Sequence, residues 1–247
     1  MGNSLLCRED CVIPQVRVSK NIVAEALDLL TGLLMHADPE KLHHVVLTGG
    51  GAGLSITAQL VNVAKKIPQQ TWANTHFWWG DERFVESDSI DRNDFGIETS
   101  LGEFYVESNV HRIPASDQVK DATKSAESYM RELIDFGSDG FPPQFSCVIL
   151  GVGPDGHIAS LFPGRPELDS RLIATPVFDS PKPPPIRVTM GFSTLNNSQL
   201  TLLLLGGETK REALNAIVNH IGWIEQTPAR GIEAAKLYAI TDLSASV

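Results

Sequence analysis

The chain has 247 residues, 42% hydrophobic and 20% charged, a length that fits one large α/β domain or two small ones. Its 20 Lys and Arg stand against 30 Asp and Glu, a formal net charge of −10. That balance argues against non-specific nucleic-acid binding, because a phosphate backbone must be met by clustered cations; an anionic small molecule stays allowed, since a few cations and backbone N–H groups suffice locally.

The opening "MGNSLLCRED" carries no apolar segment ahead of Cys7, and Leu6 stands where a myristoylation signal needs Ser or Thr. No apolar run approaches the ~18 residues of a membrane span. Cys7, Cys11 and Cys147 are too few for a disulfide framework in a chain of this size. Cys7 and Cys11 lack the Cys or His partners of a zinc site, and Cys147, inside an apolar run, reads as a small core residue. A soluble, reduced, cytoplasmic protein without a metal is expected.

"QVRVS" predicts a short strand, and residues 20–36 a helix with Ile22, Val23, Ala26, Leu29, Leu30, Leu33 and Leu34 on one face. "HHVVLT" reads as a buried strand running into Gly49-Gly50-Gly51, with a helix over 54–65 that stops before Pro68. "THFWWGDE" predicts a third strand, "DATKSAESYMRELIDFG" an amphipathic helix closed by Gly137, and "FSCVILGVG" another buried strand. "RVTM" and "LTLLLLGG" follow, then a helix over 209–220 and a last strand, "KLYAIT". "DSPKPPPIR" reads as a stiff surface loop. Alternating strands and helices, with continuously apolar strands, predict an α/β fold. The expected architecture is a Rossmann-like three-layer sandwich, its mainly parallel sheet covered by helices on both faces, as one domain over residues 1–247. Ligands in such sheets bind beyond the carboxyl ends of the strands, which puts residues 48–53, 80–83, 151–157 and 206–210 on one rim.

In "VVLTGGGAGLS" a strand, a turn free of side chains and a helix come in the order of a phosphate cradle, with backbone N–H groups gathered at a helix N-terminus. No Gly-Lys-Ser/Thr follows, and Leu54 and Ile56 occupy the third-glycine positions of a dinucleotide fingerprint. A tight turn with no ligand is the alternative. "WWGDERFV" adds Asp81, Glu82 and Arg83, either a solvated turn or charges aimed into the cleft, where Arg83 stays ionised at any working pH. Arg92 and Asn93, in the polar stretch beyond, read as surface residues with the cleft as the alternative, and the pair His43-His44 as surface or capping residues.

"GVGPDGHIASLFPG" formally matches G-x-G-x-x-G through Gly151, Gly153 and Gly156. However, Pro154 stiffens the turn, and Pro163 and Pro166 break the segment that would have to be a helix. What the turn presents is Asp155 and His157: neutral His takes a proton from water, and a neighbouring carboxylate orients it and stabilises its cation. Ser160 lies in no nucleophile elbow and reads as a loop residue. In "LLGGETKREAL" Lys210 falls in a first helical turn, which the dipole disfavours; it is a surface residue or it faces an anion shared with the glycine turn.

Together these segments resemble the 6-phosphogluconolactonase family. "GVGPDGHIASLFPG" is similar to its long signature G-x-G-x-D-G-H-x-x-S-L-F-P-G, "WWGDERFV" to its W-G-D-E-R, "VVLTGGG" to its S-G-G-S turn and "GGETKREAL" to its G-x-x-K helix start, in the same order along essentially the whole chain. The resemblance implies hydrolysis of 6-phosphoglucono-δ-lactone to 6-phosphogluconate in the pentose phosphate pathway, with no cofactor, by a monomer or weak homodimer. It implies His157 as the base that activates water, Asp155 as the carboxylate beside it, and Arg83 as a catalytic cation. Lys210, Arg187, Asp81, Thr48 and Gly49, Gly50 and Gly51 are implied as substrate and phosphate contacts. Thr48 replaces the first Ser of the family turn and Gly51 its last, so one hydroxyl is lost; "GFSTLN" also departs from T-L-P-x-x-N, leaving Asn196 without an assigned role. Glucosamine-6-phosphate deaminases share G-x-G-x-D-G-H but continue as G-H-I-A-F-N-E-P-G, whereas Ser160-Leu161-Phe162-Pro163-Gly164 stand here. A non-catalytic sugar-phosphate sensor is the third alternative.

Overall fold

The computed structural model describes residues 12–243, so Cys7 and Cys11 lie outside the described residues. In chain order the elements are β1 (Gln15–Val18), α1 (Ile22–Met35), β2 (His43–Leu47), α2 (Gly50–Thr57), α3 (Leu60–Ala64), α4 (Gln69–Ala73), β3 (Thr75–Trp79) and β4 (Asp81–Arg83). They continue with α5 (Ile97–Leu101), α6 (Ala122–Asp135), β5 (Phe145–Gly151), β6 (Ala174–Val177), β7 (Arg187–Met190), α7 (Phe192–Leu195), β8 (Ser198–Leu205), α8 (Arg211–Val218) and β9 (Lys236–Thr241). Six strands form a sheet in the order β1-β9-β8-β5-β2-β3, and every pairing in it is parallel. Helices flank it, as the strand composition demands: β2 and β3 are buried along their whole length, and a strand covered on both faces carries apolar residues without alternation.

The local signals act where the sequence puts them. Asn21 caps α1 by accepting from the Ala24 N–H at 3.0 Å, and Asp121 caps α6 by accepting from Lys124 N–H at 2.9 Å. Helix α1 buries Ala26, Leu30 and Leu34 of the expected stripe, with Leu27 beside them, and packs Ile22, Val23, Leu29 and Leu33 partly buried against the core. Cys147 is fully buried with a free thiol, as expected of a core residue.

Three local expectations are corrected. "THFWWGDE" is not one strand: it breaks at Gly80, and β4 leaves the main sheet to pair antiparallel with β7, which pairs in turn with β6. Gly80 is the joint, its N–H bonding the Leu47 carbonyl at 3.0 Å and its carbonyl accepting from the Met190 N–H at 2.8 Å. The second helix starts at Gly50 instead of residue 54 and stops at Thr57, so the glycines are its first turn and not a loop before it. His43 and His44 are not surface residues but buried members of β2. Trp78 Nε1 donates to His44 Nδ1 at 3.1 Å, and beside this pair His76 and His111 share a 2.8 Å hydrogen bond that continues to Glu132 at 2.7 Å. Polar side chains inside the sheet are tolerated here because they satisfy one another.

Because all six strands run the same way, their carboxyl ends share one rim, and the turns that leave them meet there. That rim also faces the small sheet, whose strand β4 follows directly from β3. The joint at Gly80 thus carries Asp81 and Arg83 over the strand ends.

Candidate active site

A cleft of about 460 Å³ opens at this rim. All four rim segments expected from the sequence line it, through Thr48, Gly49, Gly50 and Gly51, Asp81 and Arg83, Gly151, Gly153 and His157, and Gly206 and Lys210. Asn93, Lys182 and Arg187 complete the wall.

The loop after β5 is shaped by its glycines. Gly153 N–H bonds the His157 carbonyl at 2.8 Å and Gly156 N–H the Gly153 carbonyl at 3.0 Å, closing a tight turn. Gly156 sits at φ 78°, a conformation that favours glycine. At Gly153 the constraint is volume: a Cβ there would lie 1.8 Å from His157 Nδ1 and 2.4 Å from Asp155 Oδ1. The residues after Gly156 form no helix, only a short 3₁₀ turn at Pro166–Asp169, so the turn does not open into the helix that a dinucleotide fingerprint requires.

Asp155 Oδ1 lies 2.5 Å from His157 Nδ1. Burial raises the Asp155 pKa, but the hydrogen bond to His157 and the charges of His157 and Lys182 outweigh it and hold the carboxyl at about 2. The Asp155 carboxylate accepts from Nδ1–H, so Nε2 is the ring nitrogen turned away from that pair. Phe162 stacks on the imidazole with ring centroids 4.6 Å apart, so the ring is braced at its edge and over its surface.

The glycine turn has a floor. A Cβ on Gly49 would fall 1.8 Å from Asn93 Oδ1, and one on Gly53 would fall 2.0 Å from the Thr48 carbonyl. Thr48 Oγ1 accepts from the Gly151 N–H at 3.2 Å, joining the glycine turn to the loop that carries His157. Gly51 has open space where a Cβ would stand.

Arg92 and Asn93 are buried, not surface residues, and of the two it is Asn93 that lines the cleft. Both are tied to the segment after β3: Asn93 Nδ2 donates to the Asp81 carbonyl at 2.8 Å, and its N–H to Glu82 Oε1 at 2.7 Å. Glu82 also accepts from the N–H groups of Arg83 at 2.8 Å and Asp94 at 3.1 Å. Burial, then Asp94, push its pKa up, against the pull of Arg92 and these amides. Arg92 pairs with Asp94 at 2.7 Å and lies 3.8 Å from Glu82. Local polarity gave no sign of this network, since a polar stretch does not record that its side chains turn inward onto Glu82 and Asp81.

Asp81 is buried at the base of the cleft, its Oδ2 accepting from Ser160 Oγ at 2.6 Å and lying 3.7 Å from Arg187 Nη1. Ser160 is therefore an inaccessible brace and no nucleophile. Arg83 lines the cleft and donates Nη1 to the Asp91 carbonyl. Burial, and then the charge of Lys182, lower the Lys210 pKa; the two ammonium groups feel each other across the cleft. Lys182 escaped the sequence reading because proline composition signals a loop but not what the loop touches; the Lys within "SPKPPP" was the only clue.

The arrangement sets an imidazole paired with a carboxylate beside a turn of glycine N–H groups and two lysines. Among the described residues, no group of three or more His, Cys, Asp and Glu stands where it could hold a metal ion.

Comparison with known proteins gives the family. Residues 18–240 match the model of the family described as glucosamine-6-phosphate isomerases/6-phosphogluconolactonase. The 6-phosphogluconolactonase of Mycobacterium tuberculosis is 38% identical over 180 residues, 70% of this chain and 72% of that one. That of Streptomyces coelicolor is 32% identical over 247 residues, 94% of each chain. Among solved structures, the 6-phosphogluconolactonase of Thermotoga maritima superposes with a TM-score of 0.74 at 29% identity, over 93% of this chain and 98% of that one. A monomeric glucosamine-6-phosphate deaminase reaches a TM-score of 0.72 at 20% identity, over 93% and 97% of the two chains, which shows a common fold and leaves the chemistry to the site. The chain belongs to the glucosamine-6-phosphate isomerase/6-phosphogluconolactonase family, on its 6-phosphogluconolactonase side.

Proposed function

We propose that the chain hydrolyses 6-phospho-D-glucono-1,5-lactone to 6-phosphogluconate, the lactonase step of the oxidative pentose phosphate pathway, with His157 as the general base. The observation that carries this is the Asp155–His157 pair, 2.5 Å apart on the wall of a cation-lined cleft. The curated relatives named above as 6-phosphogluconolactonases support the same substrate.

The substrate phosphate sits at the glycine turn, where the N–H groups of Gly49, Gly50 and Gly51 and the Lys210 ammonium supply positive charge. Arg83 adds a fixed charge, while Thr48 and Asp81 hold the turn and the cleft floor. Nε2 of His157 takes a proton from water as the water oxygen bonds the lactone C1. When the tetrahedral intermediate collapses, the C1–ring oxygen bond breaks and His157 returns the proton to that oxygen. Positioned base catalysis of this kind contributes about 10²–10⁴-fold.

The test measures lactone opening, with the spontaneous rate subtracted, beside ammonia release from glucosamine 6-phosphate. Lactonase activity that drops by about 10²-fold or more in His157→Asn is expected. Full activity in that variant overturns the base assignment. Ammonia release without lactone opening overturns the substrate, and binding without turnover leaves a sensor.

A further inference from the structure

We infer that Lys182 is the oxyanion contact of the lactone carbonyl and that Arg187 is the positioning residue that holds it there; this rests on the lactonase activity proposed above. Lys182 Nζ lies 3.3 Å from Nδ1 and 3.4 Å from Nε2 of His157. A cation nearly equidistant from both ring nitrogens cannot lie in the ring plane at that range, because it would overlap Cε1. It therefore rests against the ring surface, on neither nitrogen's lone pair, and Nε2 keeps its in-plane direction for water.

That position selects the carbonyl end of the substrate. The ester carbon and the phosphate are at opposite ends of the lactone, and the base must stand beside the ester carbon. A cation touching the base is beside it too, while Lys210 and the glycine turn serve the other end. As water adds to C1, the carbonyl π electrons move onto oxygen, and an ammonium at this point pairs with the charge that develops there.

The loop that carries Lys182 is exposed at Pro181, Pro183 and Pro185, yet its backbone is tied down from inside. Arg187 is buried and donates Nε to the Pro184 carbonyl and Nη2 to the carbonyls of Lys182 and Pro183, all at 3.1 Å. Ser180 closes the loop from its other end, its Oγ donating to the Lys182 carbonyl at 3.0 Å and its N–H to the Pro185 carbonyl at 2.9 Å. Of the guanidinium, Nη1 alone turns toward Asp81, at 3.7 Å. Arg187 thus spends most of its donors on the loop, a positioning arrangement in place of the substrate contact implied by resemblance.

The experiment is steady-state lactone hydrolysis by the wild-type chain, Lys182→Met, Arg187→Lys and the double variant, with melting temperatures as a fold check. Lys182→Met is expected to lower kcat by about 10²–10³-fold with KM changed less than about threefold, as for the loss of one oxyanion donor. Arg187→Lys is expected to lower kcat in the wild-type background and to have no further effect beside Lys182→Met, since the two act through one ammonium. A rise in KM with kcat intact in Lys182→Met makes Lys182 a phosphate anchor and overturns the inference, as does an unchanged rate. An equal loss from Arg187→Lys in both backgrounds overturns the positioning role. Failure of the wild-type chain to open the lactone overturns the activity itself, a separate outcome.

Discussion

Gly153 and His157 are matched by volume. The imidazole occupies the space a side chain on Gly153 would take, so Gly153→Ala is expected to move His157 together with its partner Asp155 without removing either. A displacement of about 1 Å costs about 10²-fold in rate, and kcat measured beside an unchanged melting temperature checks it. Gly51 is the opposite case. A Cβ there meets nothing within 4 Å, so Gly51→Ser adds a hydroxyl to the phosphate turn without strain. One added hydrogen bond, about 0.5–1.5 kcal/mol, is expected to lower KM by roughly two- to tenfold with kcat unchanged; a KM that stays put shows the turn already saturated by its backbone N–H groups.

At the scale of elements, β2 and β3 place an unusual set of titratable groups inside the sheet. Burial, followed by the neighbouring histidines, lowers His44 from 6.5 to about 3 and His76 to about 4. Around them stand His43, His111, Glu132 and Tyr129. Both histidines stay neutral in the folded chain through the range in which an unfolded histidine, near 6.5, takes up a proton. Unfolding therefore binds protons there, and stability falls as pH drops from about 6.5 toward 4. Melting temperatures at pH 7, 6 and 5 are expected to decline, and His76→Gln to decline less steeply; parallel slopes rule the cluster out as the cause. Elements with a strong period were legible from the chain, as α1 and α6 show. The break at Gly80 was not, because "THFWWGDE" is continuous in composition and only pairing with β7 pulls its last residues into a second sheet.

Over the whole molecule, a formal charge of −10 surrounds a cleft whose wall carries Arg83, Lys182, Arg187 and Lys210 against Asp81 and the neighbouring Asp155. Attraction of a phosphate to such a site is local and screened by salt, with a Debye length of about 8 Å at 0.15 M and about 3 Å at 1 M. KM is expected to rise with NaCl while kcat holds, and initial rates at two ionic strengths check this. A salt-independent KM would assign the anion to backbone hydrogen bonds alone.

The sequence by itself determined the parallel α/β sheet and the rim on which the turns gather, and so that Asp155, His157, the glycine turn and Lys210 meet there. These follow from periodicity and from short motifs whose residues are neighbours along the chain. Only the tertiary structure decided that Ser160 braces Asp81, that Asn93 floors the glycine turn, and that Lys182 lies on His157. Each of those contacts joins residues 25 or more positions apart or elements in different sheets, and no local pattern records which distant side chain will fill a given space.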